Sequence, residues 1–401
     1  MNHYVSRVLL HALLLLSVIA FTLPAVNAAD QAKTTKEAQN APAAGDDADA
    51  LKVPNGKPAE LITFIERLDK MRPQGKNRTE LMASFTSMQN AIIEAAGKVL
   101  AADATDDQAA VAIRAKLQSL DVLGRLGDDS APAKTEKFLA SLADDRRPKV
   151  RQIVKLFTLQ DKVGDLRRAD AATRKKFLKE LDGYFDKLDI EAVHVQLIMA
   201  TSQILSRSGD PKLAEQFHKR YGERMIKSKD KQIVQQGNRL VATARRLGLV
   251  GKEMKVFGRT LEGKDFQWAD YRGKVVLIDF WATWCGPCIQ ELPNVVRNYQ
   301  AYNKRGFDVV GVSLDRSRLP LERFVKEREI PWTTLFTDDP RDKNSAQALA
   351  SYYAISGIPT AILVGRDGKV ISLHARGPAL SQLLATHIGP LKEPGGDEKK
   401  D

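Results

Sequence analysis

Through residues 58–250 apolar side chains recur three and four positions apart, as in Leu61, Ile62, Ile65 and Leu68, or Ile153, Val154, Phe157 and Leu166. That spacing stacks them on one helical face and predicts a region that is helical almost throughout. Beyond residue 250 the pattern changes. Runs of β-branched and aliphatic residues such as Val275-Val276-Leu277-Ile278 alternate with helix-period stretches, which predicts an α/β domain. The expected elements are a short hairpin over 254–259 and 266–268 and a core strand over 275–282. A helix over 288–304, kinked at Pro293, leads to a strand over 307–314. A helix over 319–328, a short strand over 333–337 and a helix over 344–353 follow. A hairpin of 360–366 and 369–375 turns at Asp367-Gly368, and a last helix covers 379–388.

The helical region carries a loose internal repeat. Phe138, Phe177 and Phe217 stand 39 and 40 positions apart, each in a basic amphipathic stretch. Gly127-Asp128, Gly164-Asp165 and Gly209-Asp210 each follow an expected helix, and Asp210-Pro211 reads as an N-cap with proline at the first helical position. A period near 40 with two helices per unit fits an α-solenoid of helical hairpins, and a non-repetitive bundle fits the same pattern. Gly248-Leu249-Val250-Gly251 reads as a hinge into the α/β domain at 251–390.

The ends differ in character. Arg7, an apolar run over 8–23 and the small-residue site Val26-Asn27-Ala28 read as a signal peptide over 1–28, cleaved after Ala28. The alternative is an uncleaved membrane anchor, the one route to membrane association. The run is shorter than the roughly 20 residues a bilayer requires, and His11 interrupts it. Residues 29–57, rich in Ala, Asp, Pro, Gln, Lys and Gly, are expected to be a flexible linker, and residues 391–401 a disordered charged tail. The formal net charge of +12 raises the question of nucleic acid. No nucleic-acid motif accompanies it, export argues against it, and solvated basic helix faces account for it. Arg146-Arg147, Arg167-Arg168, Arg174-Lys175-Lys176 and Arg245-Arg246 are such faces or the lining of a partner groove. His194 and His218 read as structural or surface residues.

The chain has two cysteines, Cys285 and Cys288, directly after the core strand and at the start of a helix. Two thiols three positions apart can close into a disulfide and reopen. The free N–H groups and partial positive charge of a helix N-terminus favour the thiolate of the first, and the thiolate is the species that attacks a disulfide. A zinc site would need two further ligands. No other cysteine exists, and the six histidines include no closely spaced pair. No metal and no other cofactor is expected. A peroxidase of the Pro-x-x-x-Thr/Ser-x-x-Cys kind is excluded by Ala282, three before Cys285.

Trp284-Cys285-Gly286-Pro287-Cys288, preceded by Asp279-Phe280-Trp281-Ala282, resembles thioredoxin. The wider stretch from Gly273 to Trp284, with Glu291-Leu292-Pro293 and Gly357-Ile358-Pro359-Thr360, resembles the TlpA/ResA-like branch of extracytoplasmic thiol–disulfide oxidoreductases over residues 250–390. The resemblance implies a thioredoxin-like fold and a set of roles. Cys285 would be the exposed attacking thiol and Cys288 the resolving one. Gly286 and Pro287 would shape the turn between them, and Trp284 the apolar rim. Asp279 would be a buried acid that relays a proton to or from Cys288. Pro359, after Ile358, would be a cis-proline beside which an extended substrate pairs. Thioredoxin partners the acid with a lysine on the next strand, where this chain has Gly311.

The expectation is therefore a multi-domain protein, with an all-α N-terminal region and a C-terminal α/β thioredoxin-like domain. Its function would be periplasmic or otherwise extracytoplasmic thiol–disulfide exchange with protein disulfide substrates. Gly286-Pro287 between the cysteines suits a reductant fed by an unidentified thiol electron donor, with a periplasmic oxidase or isomerase as the alternative direction. The alternative is an envelope docking protein in which the helical array is primary and the redox domain regulatory.

Overall fold

The computed structural model describes residues 50–339 and 341–391. The expected signal peptide, most of the expected linker and nearly all of the expected tail lie outside the described residues. The chain divides into two compact units, 1–201 and 202–401.

Nine helices occupy the described residues up to 247: α1 (Pro58–Lys70), α2 (Arg78–Ala101), α3 (Asp106–Arg125), α4 (Ala131–Ser141), α5 (Pro148–Asp165), α6 (Ala171–Phe185), α7 (Ala192–Ser206), α8 (Pro211–Met225) and α9 (Lys231–Leu247). Their starts follow local chemistry. Asn77, Thr105, Asp170 and Asp210 each accept a hydrogen bond from an amide in the first turn of the helix they precede, satisfying donors that have no intrahelical partner. Phe138, Phe177 and Phe217 fall in α4, α6 and α8, one per pair of helices, and all three are buried. Gly127 and Gly209 take the left-handed conformation just beyond α3 and α7, whereas Gly164-Asp165 lies in the last turn of α5 rather than after it.

In the first unit one core joins Leu61, Phe64, Ile65 and Leu68 of α1 to Ile92, Ala95 and Val99 of α2. A second joins Ile113 and Leu117 of α3 to Phe138 of α4 and Val150 and Val154 of α5. Leu51 and Val53 pack against the first core, so the expected linker is already anchored before residue 57. The apolar side chains that resume at Leu51 are the physical reason. Arg147 of the expected basic face is paired with Asp145, and Arg146 with Asp103. His194 is buried between the Tyr184 hydroxyl and the Glu191 amide, and burial lowers its pKa.

The second unit begins with the hairpin α8–α9. Its helices approach until a Cβ on Gly222 would stand 2.9 Å from the Val241 backbone nitrogen, and one on Gly237 2.8 Å from Met225 Cβ. The hairpin is tied to the α/β layers that follow. Arg245 donates to the Tyr352 carbonyl and lies over the Tyr352 ring at 3.8 Å, while Arg246 Nε donates to the Tyr353 carbonyl at 3.1 Å. The basic pair Arg245-Arg246 is therefore an anchor. His218 of α8 is buried, bonded to Ser202 and to the Ala214 carbonyl.

A five-stranded sheet follows, ordered β3-β2-β1-β4-β5. β1 (Val275–Trp281), β2 (Phe307–Ser313) and β3 (Thr333–Leu335) run parallel, β4 (Thr360–Val364) pairs antiparallel with β1, and β5 (Val370–Ser372) antiparallel with β4. Between them lie α10 (Gly286–Tyr302), α11 (Arg318–Glu327) and α12 (Ala346–Tyr352), and α13 (Pro378–Ile388) closes the domain. Alternation along β1 sends Leu277 and Trp281 to the face covered by α10, α11 and α13, and Val276, Ile278 and Phe280 to the face covered by α12 and residues 249–256. The expected hairpin over 254–268 is reduced to isolated bridges and a 3₁₀ turn at Trp268–Tyr271. There Trp268 stacks on Tyr271, Phe266 lies tilted against both, and the Trp268 indole donates to the Met254 carbonyl.

These ties predict the result of a truncation. A fragment from Ser202 keeps the whole second unit and should melt cooperatively. A fragment from Lys252 loses Arg245, Arg246 and the cover over Tyr352 and Tyr353. It should be less stable by about 3 kcal/mol, the scale of two hydrogen bonds and a cation–π contact. Urea midpoints of the two fragments check this; equal midpoints would show that the hairpin is not part of the folding unit.

Candidate functional site

β1 ends at Trp281, and the next four residues turn into α10 under the control of a side chain the motif does not contain. Asp315, buried just beyond β2, accepts hydrogen bonds from the Thr283 amide at 3.1 and 3.2 Å and from the Thr283 hydroxyl at 2.6 Å. Ser313 donates to the same carboxylate at 2.8 Å, and Gln347 donates to the Asp315 carbonyl. A charged acceptor with three neutral donors is strongly oriented, so the segment that delivers the cysteines is pinned to the neighbouring strand.

Cys285 is the N-cap of α10 and is joined to Cys288 in a disulfide, with Cα atoms 5.2 Å apart. The Cys288 amide donates to Cys285 Sγ at 3.3 Å. Gly286 and Pro287 form the start of the helix, two positions earlier than the periodicity places it. Proline there removes a donor that would have no partner. Trp284 stands out at 65% exposure. The expectation of an exposed Cys285 is not met in this disulfide state: Cys285 is 6% and Cys288 5% exposed. The two sulfurs sit inside the apolar cluster that also holds Trp281 and Ala361. What separates them is position on the helix, Cys285 at its tip and Cys288 one turn in.

Asp279 is on the same face of β1 as Leu277 and Trp281, and so faces the cluster that contains both cysteines. Its neighbours in register are Gly311 on β2 and Ala361 on β4, so no lysine stands across from it. By accessible area it is only half-buried, but the protein packed round the carboxyl is dense. Desolvation first, then the negative charge of Glu291, pushes its pKa up to about 7 against a smaller opposing pull from Arg376. Gly311 has a steric reason. A Cβ there would meet Trp281 Nε1 at 3.0 Å and Trp332 Nε1 at 3.3 Å. Gly311→Ala should therefore destabilise the fold by about 1–3 kcal/mol through overpacking. A thermal scan of that variant checks it, and an unchanged midpoint would show that the indoles yield freely.

The Ile358–Pro359 peptide is cis. Ile358 packs against the cysteine-bearing cluster. Among the described residues its amide has no backbone partner, while the Pro359 carbonyl accepts from Arg376 at 2.6 Å. Glu291, one turn along α10 from Cys288, accepts from the Gly377 amide at 2.7 Å and from Asn294 at 2.8 Å. The structure thus brings Cys285, Cys288, Trp284, Gly286, Pro287, Asp279, Ile358 and Pro359 into one region. Sequence reasoning missed Asp315 and Arg376, read Glu291 only as part of a motif, and took Arg246 as part of a solvated face or the lining of a partner groove. Asp315 and Arg376 act through contacts distant in sequence, and no local pattern marks them.

A disulfide that caps the helix after the central strand of a mixed sheet, with the residue before a cis-proline packed against the same cluster, defines a thiol–disulfide exchange domain of the thioredoxin class. The Redoxin family matches residues 249–382. The thiol-disulfide oxidoreductase ResA of a Bacillus cereus strain is 32% identical over 123 residues, 30% of this chain and 67% of that protein. Its namesake in Geobacillus thermodenitrificans is 32% identical over 132 residues, 33% of this chain and 71% of that protein. The solved thioredoxin domain of a thiol-disulfide oxidoreductase from Bacteroides vulgatus is 28% identical, covering 35% of this chain and 97% of that one, with a TM-score of 0.32. Through its C-terminal region the chain belongs to the TlpA/ResA-like thiol-disulfide oxidoreductases of the thioredoxin superfamily. It is an enzyme that exchanges thiols and disulfides.

Proposed function

We propose that this chain reduces disulfides of partner proteins outside the cytoplasm. The observation that carries the assignment of roles is the Cys285 sulfur at the tip of α10, already accepting a hydrogen bond from the Cys288 amide. In the reduced enzyme the same donor and the helix N-terminus would hold a thiolate on Cys285 and keep its pKa below the free-thiol value of about 8.5. That thiolate attacks one sulfur of the substrate disulfide and expels the other as a thiolate, leaving a mixed disulfide on Cys285. Cys288 loses its proton to Asp279, attacks the Cys285 sulfur, and releases the second substrate thiolate. Two electrons have passed to the substrate, and the Cys285–Cys288 disulfide must be reopened by a protein dithiol donor.

Asp279 suits this step because a carboxyl with its pKa near 7 can both take and return a proton at neutral pH. The free Ile358 amide beside cis-Pro359 offers an extended substrate a backbone partner, and Trp284 an apolar one. Export rests on the N-terminal segment, which reads as a signal peptide cleaved after Ala28. Among the described residues no helix is long and apolar enough to cross a membrane. The helical region before residue 251 is assigned the docking of the client.

Insulin reduction by the full chain, recycled with dithiothreitol, tests the direction. Turnover above the dithiothreitol background is the expected result. A pair that dithiothreitol reduces fully without turnover of insulin, and whose disulfide form oxidises reduced substrates, would overturn the reductant assignment and make the enzyme an oxidase.

A further inference from the structure

A pocket of about 470 Å³ opens beside the cis-proline, and its wall includes Arg246, Glu291, Pro359, His374, Arg376 and Gly377. Its charges are arranged unevenly. Glu291 is already engaged by the Gly377 amide and the Asn294 side chain. Arg246 and Arg376 each donate only to backbone carbonyls, those of Tyr353 and Pro359. Among the described residues neither forms an ion pair. Arg246 is half-buried, and desolvation pulls its pKa down. Two guanidiniums with donors to spare line one concavity whose wall has one carboxylate, Glu291, engaged elsewhere, and together they form a site for an anion. Arg246 comes from α9, outside the strands and helices that carry the cysteines, so the α8–α9 hairpin completes this wall.

We infer that this pocket is a substrate subsite that takes a carboxylate, an acidic side chain close in sequence to the exchanging cysteine of the client. A chain lying extended along Ile358 and Pro359 would pass the mouth of the pocket, and a neighbouring Asp or Glu would pair with Arg246 and Arg376. His374, exposed on the same wall, adds a further donor. The inference rests on the reading above that extended disulfide segments are reduced here. It adds a preference among them.

The test uses the full chain and synthetic peptides that are identical except for one residue. Each has one intramolecular disulfide and Glu, Gln or Lys placed in turn at the positions flanking the first cysteine. At the best position the Glu peptide should exceed the Gln peptide in kcat/KM by about tenfold, the scale of one charge-assisted pair, with most of the difference in KM. The Lys peptide should fall below both, and the ratio should shrink as salt is raised. In Arg376→Gln the Glu/Gln ratio should fall several-fold, and in the Arg246→Gln/Arg376→Gln double variant it should approach one. Arg376 is exposed, so its single variant decides the matter if replacing Arg246 prevents folding. A ratio near one at every position in the native protein, or a ratio that survives in Arg376→Gln, would overturn the subsite. Failure to turn over even the Gln peptide would overturn the reductant reading and the subsite with it.

Discussion

Cys285→Ser should abolish turnover, by more than about a thousandfold, the scale on which loss of a nucleophile is felt. Cys288→Ser should do something different and more informative. With the resolving thiol gone, attack by Cys285 can still proceed but cannot be completed. The enzyme should then accumulate as a mixed disulfide with its substrate, visible as a higher-mass band on a non-reducing gel that dithiothreitol removes. Cys285→Ser should give no such band, because the remaining thiol lies one turn inside the helix and beneath its neighbours. Since both sulfurs are buried to nearly the same extent in the disulfide state, exposure alone does not predict this asymmetry; the helix tip does. Trapping by both variants in equal amounts would reverse or dissolve the assignment of roles.

Asp279→Asn should stabilise the protein at alkaline pH and slow it as a catalyst. Burial raises the folded-state pKa of this carboxyl from 3.8 to about 7. Below pH 4 the folded and unfolded chains both carry the proton, and no difference arises. Between about pH 4 and 7 the unfolded chain ionises while the folded one keeps its proton, so stability falls as pH rises. Above 7 both are ionised, and the folded state bears a constant penalty on the order of 4 kcal/mol. Asparagine removes the charge and the penalty. Urea midpoints of the two proteins should therefore coincide near pH 4 and diverge up to pH 8, with the variant higher. Over the same range disulfide exchange should slow, on the order of a hundredfold where the carboxylate serves as proton acceptor. Parallel stability curves from pH 4 to 8 would mean that Asp279 is not desolvated. A normal exchange rate with a shifted stability curve would leave it as a buried acid without a part in the reaction.

The parts of this molecule legible in the sequence were those encoded by neighbours in the chain. The apolar run of β1, the cysteine pair and the Gly-x-Pro-Thr of the cis-proline are local patterns, and each lies where it was expected. That Gly311 stands beside Asp279 came from the resemblance to thioredoxin, laid on the run Val309-Val310-Gly311-Val312, and the register of β1 and β2 agrees. What could not be read depends on contacts across the fold. Asp315 looks like any polar residue after a strand until Thr283 is brought to it. Arg245 and Arg246 read as a solvated basic face or the lining of a partner groove, and only the arrival of Tyr352 and Tyr353 makes them anchors. The burial of Cys285 was missed because a helix tip suggests exposure, and the surrounding side chains decide otherwise.

The glycine crossing of α8 and α9 has a consequence for heredity. Gly237 stands nine residues before Arg246 on one continuous helix, about 13 Å along its axis. Where two backbones touch without intervening side chains, the helix is located as a shaft is by its bearing. A methyl group added at Gly222 or Gly237 would act as a shim and displace the far end of that shaft. A lineage could then alter which clients it accepts through two positions that no client ever meets, while every residue of the redox centre stayed the same.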